Sequence, residues 1–287
     1  MIYSEICNGI HYVGVNDRTT TRFEGIWPLP YGVSYNSYIV KGNNATALID
    51  GVEISHCQRL IDRIKSAAPS ATLDYMIINH MEPDHGASVE ELLLRYPRVK
   101  VFATAKAFAL MRQFGFHVDG HELVQVKEGD RQSFGRHTVT FLTAPMVHWP
   151  ECMVTFDMTS GVLFSADAFG SFAALDGKLF NDEVSFDRDW IDEARRYYTN
   201  IVGKYGANVQ ALLKKTAAIA DGIRLICPLH GPVWRSDLSY FIGKHDKWSR
   251  YEPEEKGVLI AYASMYGNTE AAAQALAARL CERGMTN

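Results

Sequence analysis

The stretch His80-Met81-Glu82-Pro83-Asp84-His85-Gly86 carries two histidines and two carboxylates almost side by side. An apolar run, Met76-Ile77-Ile78, leads straight into it, and Ser88 with Glu91 gives a capping-box pattern that predicts a helix just after it. The cluster is therefore expected on a loop between a buried strand and a helix, where a rigid scaffold can hold ligands in place. Imidazole and carboxylate together suit a first-row transition metal. The bland alternative is a solvated polar loop that happens to contain histidine. Four donor groups are more than one ion needs from one loop, so further donors are sought elsewhere in the chain.

Three more candidates share one placement. His148 follows an apolar strand ending near Leu142, Asp167 follows Val162-Leu163-Phe164, and His230 follows Leu225-Ile226-Cys227. Each stands just past an apolar run, as His80 does. If these runs share sheets, their ends can converge on one edge. A lone histidine at a strand end is usually just a hydrogen-bonded side chain, but the same feature at four strand ends argues against coincidence. His80, His85, His148 and His230 supply imidazoles, and Glu82, Asp84 and Asp167 supply carboxylates. The set divides naturally over two metals, each with two histidines and one terminal carboxylate, the remaining carboxylate bridging. Two histidines and one carboxylate with open positions is a non-haem iron pattern, and bridged ions typically lie about 3.5–4 Å apart. His11, His56, His117, His121, His137 and His245 fall in helix or polar-turn contexts and read as ordinary.

Working outward, strand formers dominate the first part of the chain. Residues 37–40 and 45–50 flank Gly42-Asn43-Asn44, a good hairpin turn. The prolines and glycine of Trp27-Pro28-Leu29-Pro30-Tyr31-Gly32 predict irregular chain there. Helical spacing predicts helices over 54–67, 88–95, 105–114, 190–202, 209–220 and 237–248. Strands are expected over 73–78, 99–103, 123–126, 138–143, 152–156, 161–165 and 223–227. The middle strands lie too close in sequence for crossover helices. Two sheets packed face to face with helices outside therefore fit better than one doubly wound parallel sheet.

Composition narrows the class. The 287 residues suffice for one large domain or two ordinary ones, and 47% hydrophobic with 22% charged content is that of a soluble globular protein. A formal charge of −4 argues against nucleic acid as the main partner. No apolar run is long enough to span a bilayer, and the first residues lack a signal-peptide pattern. Five widely spaced cysteines without a CxxC pair suit reduced thiols in a cytoplasm.

With these residues in view, the chain resembles the flavodiiron protein family. The HxExDH order of 80–85, followed by histidine, aspartate and histidine at strand ends, is similar to that family's diiron domain. Ser34-Tyr35-Asn36-Ser37-Tyr38 and Phe180-Asn181-Asp182-Glu183 extend the match, so it covers most of residues 1–250. The resemblance implies a metallo-β-lactamase-like αβ/βα sandwich. It also implies a ligand set in which His80, Glu82 and His148 hold one iron, Asp84, His85 and His230 hold the other, and Asp167 bridges. Hydrolases of the same fold use HxHxDH; a glutamate at position 82 adds charge and a harder donor, favouring iron over zinc. Tyr197 resembles a family tyrosine whose hydroxyl faces the diiron pocket. Tyr198 competes for that role, and Trp149 reads as packing.

A charged linker, residues 251–257, precedes the apolar run Val258-Leu259-Ile260-Ala261-Tyr262-Ala263, expected to be a strand. Then come Ser264, Met265, Tyr266, Gly267, Asn268 and Thr269, and a helix is expected over 270–280. Strand, small polar loop and helix N-terminus form an anion site. The loop looks like the FMN phosphate loop of flavodoxins, so residues 258–287 are expected to be the start of a flavodoxin-like domain. A flavodoxin-like sheet takes several more strand–helix units, so the chain is expected to be part of a longer protein and to bind FMN poorly alone.

Taken with the resemblance, the expected function is reduction of dioxygen to water, of nitric oxide to nitrous oxide, or both, at two irons, with FMN relaying electrons. The resemblance further implies a head-to-tail homodimer and a donor such as rubredoxin, a flavin reductase or a deazaflavin. Two rival readings are a binuclear hydrolase of the same fold and a non-catalytic sensor or dimerisation partner. Glu82 and the flavodoxin-like start speak against the first, and the complete ligand set speaks against the second.

Overall fold

Gly42, Asn43 and Asn44 turn the chain back on itself, so that the strand Tyr38–Lys41 pairs antiparallel with Thr46–Ile49. That hairpin sits in the middle of a sheet. The computed structural model describes residues 4–69 and 72–285; the expectation of no leader falls partly on residues 1–3, outside the described residues. Among the described residues the main strands form a seven-stranded and a five-stranded sheet. The first runs Ser4–Cys7, Ile10–Tyr12, Tyr38–Lys41, Thr46–Ile49, Tyr75–Ile77, Lys100–Ala103 and Glu122–Gln125. Its early pairs are antiparallel, and its last three are parallel. Each parallel step is bridged by a helix: Cys57–Ala67, Val89–Arg95 and Ala105–Gln113. The first shows why, since buried Cys57, Leu60, Ile61, Ile64 and Ala67 recur at helical spacing on one face.

The second sheet runs Arg131–Ser133, Thr138–Thr143, Met153–Asp157, Val162–Phe164 and Leu225–Cys227. Its inner face meets the first through rings: Tyr38 lies 5.4 Å from Phe164, and Phe102 stacks on Phe141 at 6.2 Å. The expected metallo-β-lactamase-like sandwich is the fold observed. Strand Arg131–Ser133 and strands Ser4–Cys7 and Ile10–Tyr12 were not individually legible, being short and only partly alternating. His11 lies in the last of these, not in a helix or polar turn.

Two local expectations need correction. The capping box does not form: Ser88 is already helical, and its side chain makes no cap bond. The reason is a helical turn, Pro83–Gly86, just upstream, which covers the helix entry and leaves the Ser88 hydroxyl to accept the Val52 N–H at 3.0 Å. Asp84 and His85 therefore sit on a helical turn rather than on open loop.

By its contacts the chain divides into two units, Met1–Arg250 and Tyr251–Asn287. In the second, the helix forms over Asn268–Glu282, but residues 258–263 form no strand. Among the described residues no strand pairs with them, so no ladder forms there. No helix of the described residues is long and apolar enough to cross a membrane.

Candidate metal centre

Strand register brings the candidate ligands to one edge. Val162–Phe164 pairs parallel with Leu225–Cys227, Phe164 opposite Cys227, so Asp167 and His230 each stand three residues beyond a matched pair. The Leu229 N–H donates to the Ala166 carbonyl at 2.9 Å, keeping the two ends together. His80 stands three residues past Ile77 in the other sheet, and Met153 N–H donates to Asn79 O at 3.1 Å, joining the sheets at this edge. Ala166 holds a left-handed φ of 51° just before Asp167, a conformation that costs energy and is kept by its surroundings. Gly51 is required beneath the cluster: a Cβ there would lie 2.5 Å from the His85 carbonyl oxygen.

All seven candidate ligands come together. His80 Nε2 lies 3.3 Å from Glu82 Oε2 and 3.1 Å from Asp167 Oδ2. His148 Nε2 lies 2.9 Å from the same Glu82 oxygen and 3.1 Å from the same Asp167 oxygen. Beside this group, Asp84 Oδ2 is 3.2 Å from both His85 Nε2 and His230 Nε2. The other Asp167 oxygen, Oδ1, faces these two histidines at 3.8 and 3.6 Å. One carboxylate thus turns one oxygen to each group, as a bridge would.

The donor set fits a pair of cations. Both oxygens of Asp84 and both of Asp167 are buried with no hydrogen-bond partner, a costly arrangement unless something positive sits among them. Burial alone would raise the Asp167 carboxyl, but His80, His148 and His230 hold it well below the ordinary range. Burial lowers His148, yet the carboxylates of Asp167 and Glu82, 3.1 and 2.9 Å from its Nε2, carry its pKa up to about 9. The carboxylates around these imidazoles raise His80, His85 and His148 toward their protonated forms, so a cation taking their ring nitrogens would displace protons and bind more strongly as pH rises.

Aromatic side chains close the site. Phe23, Tyr35 and Tyr197 surround His230 with ring centroids 5.4, 5.9 and 5.3 Å away. Tyr197 is buried and its hydroxyl has no hydrogen-bond partner. Burial first, then the charges of Asp167, Asp84 and Glu82, hold its pKa well above the ordinary phenol value. Tyr198 turns the other way, against His245 and Trp248. Trp149 packs edge-on against His80 at 5.5 Å. An open cleft of about 470 Å³, lined by Arg22, Phe23, Glu24, Tyr35, Glu82 and Asp84 among others, leads to the ligands. That is room for a small molecule to reach them.

Two residues escaped the sequence reading. Asp50 is fully buried and accepts the Asn79 N–H at 2.7 Å and the His80 N–H at 3.2 Å, fixing the ligand loop. Its signal was a strand-end position like those of the ligands. Glu151 Oε1 lies 2.9 Å from His80 Nδ1 and accepts the Met81 N–H at 2.9 Å. Its only signal was a carboxylate close after His148. The other histidines stay outside: His137 pairs with Asp157 at 2.8 Å, and His56 with Asp17 at 3.2 Å.

The 264–269 loop belongs to the second unit. Ser264 Oγ accepts the Gly267 N–H at 3.0 Å, and Gly267, at φ 84°, opens the helix Asn268–Glu282. Met265 and Tyr266 are exposed.

The chain is similar in sequence and fold to known proteins. Residues 33–231 match the model of the ODP family beta lactamase. The chain is 33% identical to the "Nitric oxide reductase" of Moorella thermoacetica, over 94% of its own length and 67% of that protein's. It is also 33% identical to the "Anaerobic nitric oxide reductase flavorubredoxin" of Aeromonas hydrophila, again over 94% of its length. It spans only 54%, about half, of that relative. Among solved structures, rubredoxin oxygen:oxidoreductase from Desulfovibrio gigas superposes with a TM-score of 0.93 at 29% identity, covering 99% of this chain and 70% of that one.

Proposed function

The chain belongs to the flavodiiron protein family, and on that premise we propose that it reduces dioxygen to water, nitric oxide to nitrous oxide, or both, at a non-haem diiron site. One observation carries this reading: two groups of two histidines and one carboxylate, with Asp167 turned to both. His80, Glu82 and His148 would hold one iron, Asp84, His85 and His230 the other, and Asp167 would bridge. When bound, the irons supply open coordination positions and the redox change. The names of the Moorella and Desulfovibrio proteins, a nitric oxide reductase and an oxygen oxidoreductase, support both substrates.

The chain's own residues supply the rest. Phe23, Tyr35 and Tyr197 keep bulk water from the His230 side of the site. The Tyr197 hydroxyl, buried without a partner, is available to donate a hydrogen bond to the bound small molecule. Asp50 holds the Asn79 and His80 backbone in place. For electron supply, the reading includes FMN and a donor such as rubredoxin or a flavin reductase. Ser264 to Thr269, with their exposed helix N-terminus, are the residues that would meet the FMN phosphate. The reading further includes a head-to-tail homodimer, a cytoplasmic location, a diiron domain over 1–250, a linker over 251–257 and the start of a flavodoxin-like domain over 258–287.

The test is purified, iron-loaded protein, chemically reduced and then mixed with dioxygen or nitric oxide. Consumption of either gas, with nitrous oxide appearing from nitric oxide, is the expected result. Hydrolysis of an ester or lactam with no consumption of either gas would favour the hydrolase reading instead.

A further inference from the structure

The two groups of ligands differ in what stands behind their histidines. His80 Nδ1 faces a carboxylate, Glu151 Oε1, at 2.9 Å. The same oxygen accepts the Met81 N–H at 2.9 Å, and the Glu151 side chain is fully buried. Cys152 Sγ adds a contact to His80 Nδ1 at 3.2 Å. In the other group, His230 Nδ1 donates to a neutral acceptor, the Ser34 carbonyl, at 2.7 Å. His85 Nδ1 is buried with no hydrogen-bond partner in the protein.

A ring N–H donated to a carboxylate fixes the tautomer and makes the opposite nitrogen a stronger donor; a carbonyl does so less, and an unpartnered nitrogen least. The Glu151 carboxyl is closed off from water, so its interaction with the His80 ring is little screened. Asp50 touches His80 too, but only at its backbone N–H, so it fixes the loop without acting through the ring.

We infer that Glu151 is a positioning residue that makes the two metal positions unequal, so that the position of His80, Glu82 and His148 binds its ion more tightly and fills first. The inference rests on the two-metal reading above and goes beyond it, by ranking the sites and naming the residue that ranks them.

The test is a titration of metal-stripped protein with Co²⁺ alone, against a competing chelator and with the visible spectrum recorded. Wild type should take two ions in two resolved steps. His230→Ala, which removes a donor from the second position, should keep the first step and weaken the second. Glu151→Gln keeps the shape and an acceptor oxygen but loses the charge; its first step should weaken about 10–100-fold and the spectrum of the first ion should change, with the second step unmoved. Glu151→Asp should recover part of the loss. Two indistinguishable steps in wild type, loss of the first step in His230→Ala, or equal weakening of both steps in Glu151→Gln would overturn the inference while leaving two bound ions. Fewer than two ions in wild type would overturn the two-metal reading itself and this inference with it.

Discussion

His148 Nε2 lies 2.9 Å from Glu82 Oε2, and the same Glu82 oxygen lies 3.3 Å from His80 Nε2. Both histidines of one ligand group therefore converge on the side chain that separates HxExDH from HxHxDH. A carboxylate here brings negative charge and a hard oxygen to a site already holding two imidazoles, which disfavours zinc relative to iron.

Glu82→His should therefore move the site toward zinc. The expected outcome is a higher zinc-to-iron ratio in purified protein and loss of gas reduction. Metal analysis beside an oxygen electrode checks it. Unchanged iron content and turnover would show that ligand hardness at position 82 does not set the metal.

Tyr197 and Tyr198 are neighbours in sequence with opposite surroundings, one against His230 and the other against His245 and Trp248. Tyr197→Phe removes a buried hydroxyl that has no protein partner. Stability should change by no more than about 1 kcal/mol, while the rate of dioxygen or nitric oxide reduction falls. Tyr198→Phe should leave that rate in place. Equal effects of the two substitutions on rate would remove Tyr197 from the proposed role.

His245 is enclosed by Phe169, Phe241, Tyr198 and Trp248, and burial drives its pKa down from 6.5 to about 3. The folded state keeps it neutral while the unfolded chain protonates it below 6.5, so stability falls as pH drops from 6.5 toward 3. At pH 5 this single group should cost about 2 kcal/mol relative to neutral pH. His245→Leu removes the titration and should lose that much less stability between pH 7 and pH 5, measured by urea unfolding of metal-free protein. Parallel pH profiles for the two proteins would refute it.

Among the candidate ligands, His80, Asp167 and His230 were legible because each stands just past a short apolar run, and strand ends are where a sheet presents side chains at its edge. The registers that bring them together were not. Phe164 opposite Cys227 is a pairing across a long stretch of chain, fixed by the whole second sheet rather than by local pattern. Ser88 misled because a capping hydroxyl and a loop-bracing hydroxyl look alike in sequence, and the Pro83–Gly86 turn decides between them. Residues 258–263 misled because strand propensity needs a partner strand to be expressed. Choosing Tyr197 over Tyr198 depended on helix phase, where α-helix Ile191–Tyr197 gives way to the π-helical turn Tyr198–Val202. Glu151 stayed hidden because its partner is a ligand's far nitrogen, a contact that no sequence spacing announces.

Asp167 turns Oδ2 to His80 and His148 and Oδ1 to His85 and His230, and the occupant of that edge decides what this protein does. The direct measurement is elemental analysis of protein purified from iron-replete cells, with the Asp167→Ala variant beside it. The account predicts two irons per chain in wild type and lowered occupancy of both positions in the variant. One tightly bound zinc with no iron in the wild-type protein would contradict it.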